Sequence, residues 1–312
     1  MNAARQGPAD RPHSSLARYA LLAVGIAGLS MAGVFYKLAS ATVIAIVAYR
    51  MVMAALLMLP LVAFARGGGA QRRSRFAPRD VLAAVVSGTL FALDVTLWAL
   101  SLQFTSVSSA ALLVSMDPIF VAAFGALFLR ERPGPLMVGG MAIAACGAVI
   151  ITVGDFHISG RALLGDALAL CAAFAETGYL LLGRYVRRRV DALRYASVVY
   201  AACAACVWIA LVASQTSPVI GAHDALVCLA LALVATVVGH TIVSQSLGAM
   251  PAVVVAVAFL SQPIMTAGFA LLFLHQAVAV ATALGGTVAL LGIGVVAYAN
   301  ERYVAEASPV VM

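Results

Sequence analysis

The chain has 312 residues, of which 64% are hydrophobic and only 10% charged, and its formal net charge is +7. Soluble domains run at roughly 45 to 50% apolar and about 25% charged, so the composition argues against a water-soluble fold. A basic excess of this size also suits a nucleic-acid partner, but the positions of the charges assign it to membrane orientation and remove nucleic acid from the reading.

A helix needs roughly 20 apolar residues to cross a hydrocarbon core of about 30 Å. Residues 1–17 are a polar tail carrying Pro8 and Pro12, unlike the short basic lead of a cleaved signal, so the first apolar run is read as a retained helix. Ten runs are expected to span the membrane, over 18–36, 42–65, 81–102, 107–129, 136–154, 165–183, 193–213, 225–247, 252–274 and 279–299. None alternates like a strand, and lipid forces backbone hydrogen bonds to close within each segment, so all are expected to be α-helices. The longest gap, Arg66 to Asp80, leaves no room for a soluble domain, and 300–312 form a second tail. All five cysteines lie inside apolar runs, where they behave as small hydrophobes, the Cys203/Cys206 spacing included.

Threading the runs from a cytoplasmic N-terminus puts sixteen of the nineteen Lys and Arg residues on the cytoplasmic side. Only Lys37 and Arg161 fall outside, and Arg50 lies within a run. That asymmetry predicts a multi-pass inner (plasma) membrane protein with both termini cytoplasmic and membrane lipid as its surroundings. The basic clusters Arg72-Arg73 and Arg187-Arg188-Arg189 need nothing beyond topology and anionic headgroups.

The chain matches itself at an offset of 145 residues: Pro118, Ile119, Ala122, Phe124, Leu127, Phe128 and Leu129 recur as Pro263, Ile264, Ala267, Phe269, Leu272, Phe273 and Leu274. Gly140 and Gly147 recur as Gly285 and Gly292, and Gly33 pairs with Gly178. Each copy holds five runs, and an odd number makes the second copy enter from the opposite face. Inverted repeats of this kind recur in secondary transporters, whose halves exchange conformations around one midplane site. Glycines of the fifth and tenth runs suit close helix approach, either within the chain or between the subunits of a homodimer.

The end of the fourth run, from Pro118 to Phe128-Leu129-Arg130-Glu131-Arg132, and its echo from Pro263 to Phe273-Leu274-His275-Gln276 resemble the EamA-like branch of the drug/metabolite transporter superfamily. The resemblance covers residues 18 to 300. It implies an all-α integral membrane fold of ten helices as two inverted five-helix repeats, 18–154 and 165–299, around a cavity lined by the first, third, fourth, sixth, eighth and ninth helices. Family members usually carry Gly at the place of Arg130 and Gly-Glu at the place of His275-Gln276. The substrates of the family range from amino acids and vitamins to metallophores and toxic compounds.

An ionisable side chain at mid-bilayer costs about 2.5 to 3.5 kcal/mol on insertion scales, so each needs a partner, a cavity or a purpose. Arg50, Asp94, Asp117, Glu176 and His240 qualify, on the second, third, fourth, sixth and eighth runs. Glu176, beside Tyr179, is the candidate proton carrier, because low dielectric favours the neutral form of a carboxylic acid; the plain alternative is a structural pair. Asp94, with Trp98 one turn on, suits an amine or cation, and otherwise lines a cavity. Asp117-Pro118 and Gln262-Pro263 stand at matching places, as hinges lining the site or as kinks that shape packing. Arg50 either joins an ion pair or binds an acidic substrate group. His240 titrates near neutral pH or is simply hydrogen-bonded among Thr241, Ser244 and Gln245.

No Gly-x-x-x-x-Gly-Lys-Ser/Thr loop and no His-Glu-x-x-His pair occur, so no ATP coupling, cofactor or metal is expected, and the proton gradient is the candidate energy source. The expectation is a non-enzymatic secondary transporter exporting a small metabolite, an amino acid or other amine by preference. The alternatives are an uncoupled facilitator, an uptake carrier and, distantly, a membrane-embedded enzyme using Asp94 and Asp117.

Overall fold

The computed structural model describes residues 15–67, 76–101, 103–104, 113–114, 116–131, 133–152, 160–275 and 280–307, and every regular element among them is helical. The elements are α1 Ser15–Ser30, α2 Ala32–Leu38, α3 Val43–Gly67, α4 Pro78–Ser101, α5 Asp117–Phe124, α6 Pro135–Thr152, α7 Gly160–Arg187, α8 Ala192–Ala213, α9 Ala222–Ala230, α10 Thr241–Ala249, α11 Ala252–Phe259, α12 Gln262–Leu274 and α13 Val280–Ala307. Wider π-helical turns, Gly125–Leu129 and Leu231–His240, continue α5 and join α9 to α10.

Among the described residues eight helices are long and apolar enough to span a membrane, and two shorter ones, Asp117–Leu129 and Pro135–Ile150, occupy the fourth and fifth expected runs. The start of the fourth run, 107–112, and the Arg72-Arg73 cluster lie outside the described residues. Asp191 caps α8 by accepting the Arg194 N–H at 3.0 Å, which fixes the tight turn from α7. Pro118 and Pro263 both stand in the first turn of a helix, α5 and α12, where the missing N–H is no loss.

The fourth and ninth runs end alike. Arg130 (φ 58°) and His275 (φ 53°), 145 residues apart, both adopt the left-handed conformation. A side chain there costs about 1 to 2 kcal/mol, partly offset by the chain entropy that glycine would lose. The resemblance noted above carries glycine at these places for this reason. Arg130→Gly and His275→Gly are each expected to stabilise the protein by up to about 1 kcal/mol, read as a higher thermal midpoint in detergent.

Helix pairing crosses between the two halves of the chain. The third span packs on the sixth as the eighth packs on the first; the third packs on the seventh as the eighth packs on the second; the fourth packs on the sixth as the ninth packs on the first. The second–seventh and fifth–tenth pairs map onto themselves, so these pairings together are two-fold. The fifth–tenth pair, α6 against α13, is the most extensive contact among the described residues. It is glycine on glycine: a Cβ on Gly147 would collide with the backbone of Ala289 and Gly285, and one on Gly292 with the backbone of Ala144 and Gly140. Of the two readings open in the sequence, these glycines serve contact within the chain.

Candidate functional site

Asp94 on α4, Asp117 at the start of α5 and Glu176 on α7 converge in the interior, close enough for each carboxylate to feel the charge of the other two. Asp117 is 2% exposed. One of its oxygens, Oδ1, takes a short hydrogen bond from the Thr177 hydroxyl, and the other, Oδ2, has no partner. Asp94 and Glu176 are half-buried.

Arg50 on α3 is 4% exposed, and its charge reaches Asp94. Its guanidinium donates from Nε to Thr236 Oγ1 at 2.7 Å and from Nη1 to the Tyr36 hydroxyl at 3.2 Å. It forms no ion pair with a described acid, so the expected structural pair is replaced by neutral acceptors. Thr236 lies in the π-helical stretch of the eighth span, and Tyr200 of α8 donates to its carbonyl at 3.0 Å. Irregular turns of this kind free backbone and re-aim side chains, and they cluster at functional sites.

His240 ends the same stretch. Its ring meets Phe91 edge-on with centroids 4.6 Å apart, and Phe91 stacks on Tyr179 at 4.9 Å. The Nδ1 of His240 has no hydrogen-bond partner, so the ring is held by aromatic contact and not by the hydrogen bonds expected from its neighbours. The Tyr179 hydroxyl lies beside Ser244 Oγ without a hydrogen bond of good geometry.

A cavity of about 240 Å³ opens at the end of the bundle remote from the arginine clusters, lined by Thr42, Val43, Val47, Thr96, Gln103 and Ser214 among others. Its lining comes within one helical turn of Arg50, through Val47, and of Asp94, through Thr96. A second hollow, about 570 Å³, is bounded by Ala123, Ala126, Leu127 and Arg130 of one span alone, and is a groove on the bundle's flank.

The EamA-like transporter family matches the chain twice, over residues 16–153 and 163–298. The chain belongs to the EamA-like transporter family. An uncharacterized transporter of Archaeoglobus fulgidus is 24% identical over 251 residues, covering 78% of this chain and 84% of that protein. A second uncharacterized transporter from the same organism is 35% identical over 83 residues, 26% of this chain and 30% of that one. A crystal structure at 16% identity superposes with a TM-score of 0.74 over 92% of this chain and 99% of its own, which establishes the fold.

In this EamA-like transporter the residues read from the sequence divide into two groups. Arg50, Asp94, Asp117, Glu176, Tyr179 and His240 gather in one interior region. Trp98 and Gln262 are half-buried and carry no side-chain hydrogen bond to that region, and Gln245 is exposed between buried Ser244 and Ser246. Sequence reasoning missed Tyr36, Phe91, Thr177 and Thr236; a threonine in an apolar run signals nothing until its neighbour is known. It also left the arginines after the sixth span to topology alone. Instead Arg187 donates to the Ser244 carbonyl at 2.8 Å, Arg188 pairs with Glu131, and Arg189 lies over the Tyr185 ring at 5.0 Å.

Proposed function

We propose that this membrane transporter carries a small amine-bearing metabolite, an amino acid or related amine, by alternating access, and that proton movement through Glu176 drives export. The observation that carries the reading is the convergence of Asp94, Asp117 and Glu176, with the charge of Arg50 reaching Asp94 among them. Three carboxylates in low dielectric, with one guanidinium charge reaching one of them, need further positive charge, and either protons or a cationic substrate group supplies it. Mutual exclusion of the two is antiport. Export over uptake rests on the family resemblance.

The two repeats, 18–154 and 165–299, would be inverted, because each holds five spans. The tails 1–17 and 300–312 would face the cytoplasm of an inner membrane, following the arginine asymmetry. Pro118 and Pro263, at the starts of α5 and α12, are the proposed hinges. Convergent acids also suit an intramembrane hydrolase, but a two-fold helix pairing serves exchange between two states and has no part in hydrolysis.

The test is substrate-driven proton flux in proteoliposomes, screening amino acids and amines. Wild type is expected to release protons on substrate exchange, and Glu176→Gln to keep exchange while losing the proton signal. Saturable exchange with no proton signal in wild type would make the protein a facilitator.

A further inference from the structure

At the arginine-rich end of the bundle one carboxylate joins four spans. Glu131, just beyond the π-helical turn of the fourth span, accepts at Oε1 from Arg184 Nε at 2.8 Å and from Arg188 Nη2. Its Oε2 accepts the backbone N–H of Ala252 at 3.2 Å, at the start of α11 and so of the ninth span. Arg184 in turn donates from Nη1 to the Leu247 carbonyl at 2.8 Å, at the end of the eighth span. Glu131 belongs to the first half of the chain and every one of these partners to the second. The Glu131 and Arg184 side chains are 16% and 14% exposed, so water screens their pairing only partly.

The opposite end is built from the same repeat without these charges. At the offset of 145 residues Glu131 corresponds to Gln276, Arg184 to Ala39 and Arg188 to Val43, all uncharged. Val43 lines the open cavity of about 240 Å³. One end is therefore drawn together by charge, and the other end is open beside Val43.

We propose that Glu131, Arg184 and Arg188 form an ionic latch that closes the arginine-rich end and sets the resting state of the transporter open at the other end. The proposal rests on the alternating-access reading and adds to it the group that biases the two states. A two-state protein moves toward whichever form keeps the interactions, so removing the latch shifts the population toward the form open at the arginine-rich end. Among the described residues the opposite end has one cross-half carboxylate of its own, Asp224, which accepts the Ser40 N–H at 2.7 Å, a single bond against the three that Glu131 accepts, so the bias is toward closure of the arginine-rich end.

Hydrogen exchange of the full chain in nanodiscs, read by mass spectrometry without substrate, tests this. In Glu131→Gln the amides of 184–190 and 247–254 are expected to exchange roughly tenfold faster, the shift that follows from losing a charge-assisted hydrogen bond. The amides of 39–47 and 214–221, at the mouth, are expected to slow. Arg188→Gln, at a side chain 44% exposed, should give the same opposed pattern at smaller size and carries the test if Glu131→Gln does not fold. Faster exchange at the arginine-rich end alone, at both ends together, or at neither would overturn the latch. Failure of the transport reading is separate: wild type without saturable counterflow would remove alternating access whatever the exchange pattern.

Discussion

Asp117→Asn is expected to lower the apparent affinity for an amine substrate about 100-fold, because truncating one partner of a desolvated charge pair costs about 2 to 5 kcal/mol. The amide keeps the shape of the side chain and still accepts the Thr177 hydroxyl, so the substitution removes charge and little else. The other oxygen, Oδ2, is buried without a partner, so the fold itself makes no use of it. Stability is expected to hold or rise, since the charge of Asp117 opposes those of Asp94 and Glu176 and the variant relieves that repulsion. A fall in function with a gain in stability is the signature of a group kept for its ligand and not for the fold. Saturable uptake into proteoliposomes, beside a thermal melt of the same preparation, reads both. Wild-type affinity in Asp117→Asn would reduce the residue to a helix-start acid in the first turn of α5.

The membrane fold was legible because its cause is local. Lipid leaves the backbone no partner outside its own helix, so hydropathy alone placed a helix in each of the ten expected runs. The repeat was legible for a related reason: Pro118 and Pro263, or Gly147 and Gly292, are residue types that backbone geometry demands, and geometry repeated at an offset of 145 leaves the same types in both copies. Helix pairing then carries the two-fold pattern into space.

The site was legible only as a set of costs. Each acid in an apolar run announced that something must compensate it, but not that Asp94, Asp117 and Glu176 would share a single environment. Nor could composition indicate that Arg50 ends on Thr236 and Tyr36, because the π-helical stretch that aims Thr236 is a register change with no residue signature. Glu131 stood in the motif that carried the family resemblance. Its partners lie 53 and 57 residues away in the other half, where only tertiary structure could find them.

Gly147→Leu is expected to destabilise the protein by about 3 kcal/mol or more, at the upper end of what overpacking costs, because no side chain can move aside. The atoms a Cβ would strike are the backbone of Ala289 and Gly285 on α13, and that helix would have to back away along its whole length. Gly292→Leu should cost as much, since its collision is with the backbone of Ala144 on α6. Gly139 and Gly294 lie on the same two helices with open space around them, and leucine there should change stability by no more than about 0.5 kcal/mol. The four variants separate the two roles that the glycine pattern allowed. Loss of folded monomer in Gly147→Leu and Gly292→Leu, with Gly139→Leu and Gly294→Leu unaffected, assigns the stripe to closure of one chain upon itself. A normal melt in Gly147→Leu with a halved mass in solution would assign it to a homodimer, and the fifth and tenth spans would then have to part in the functioning protein.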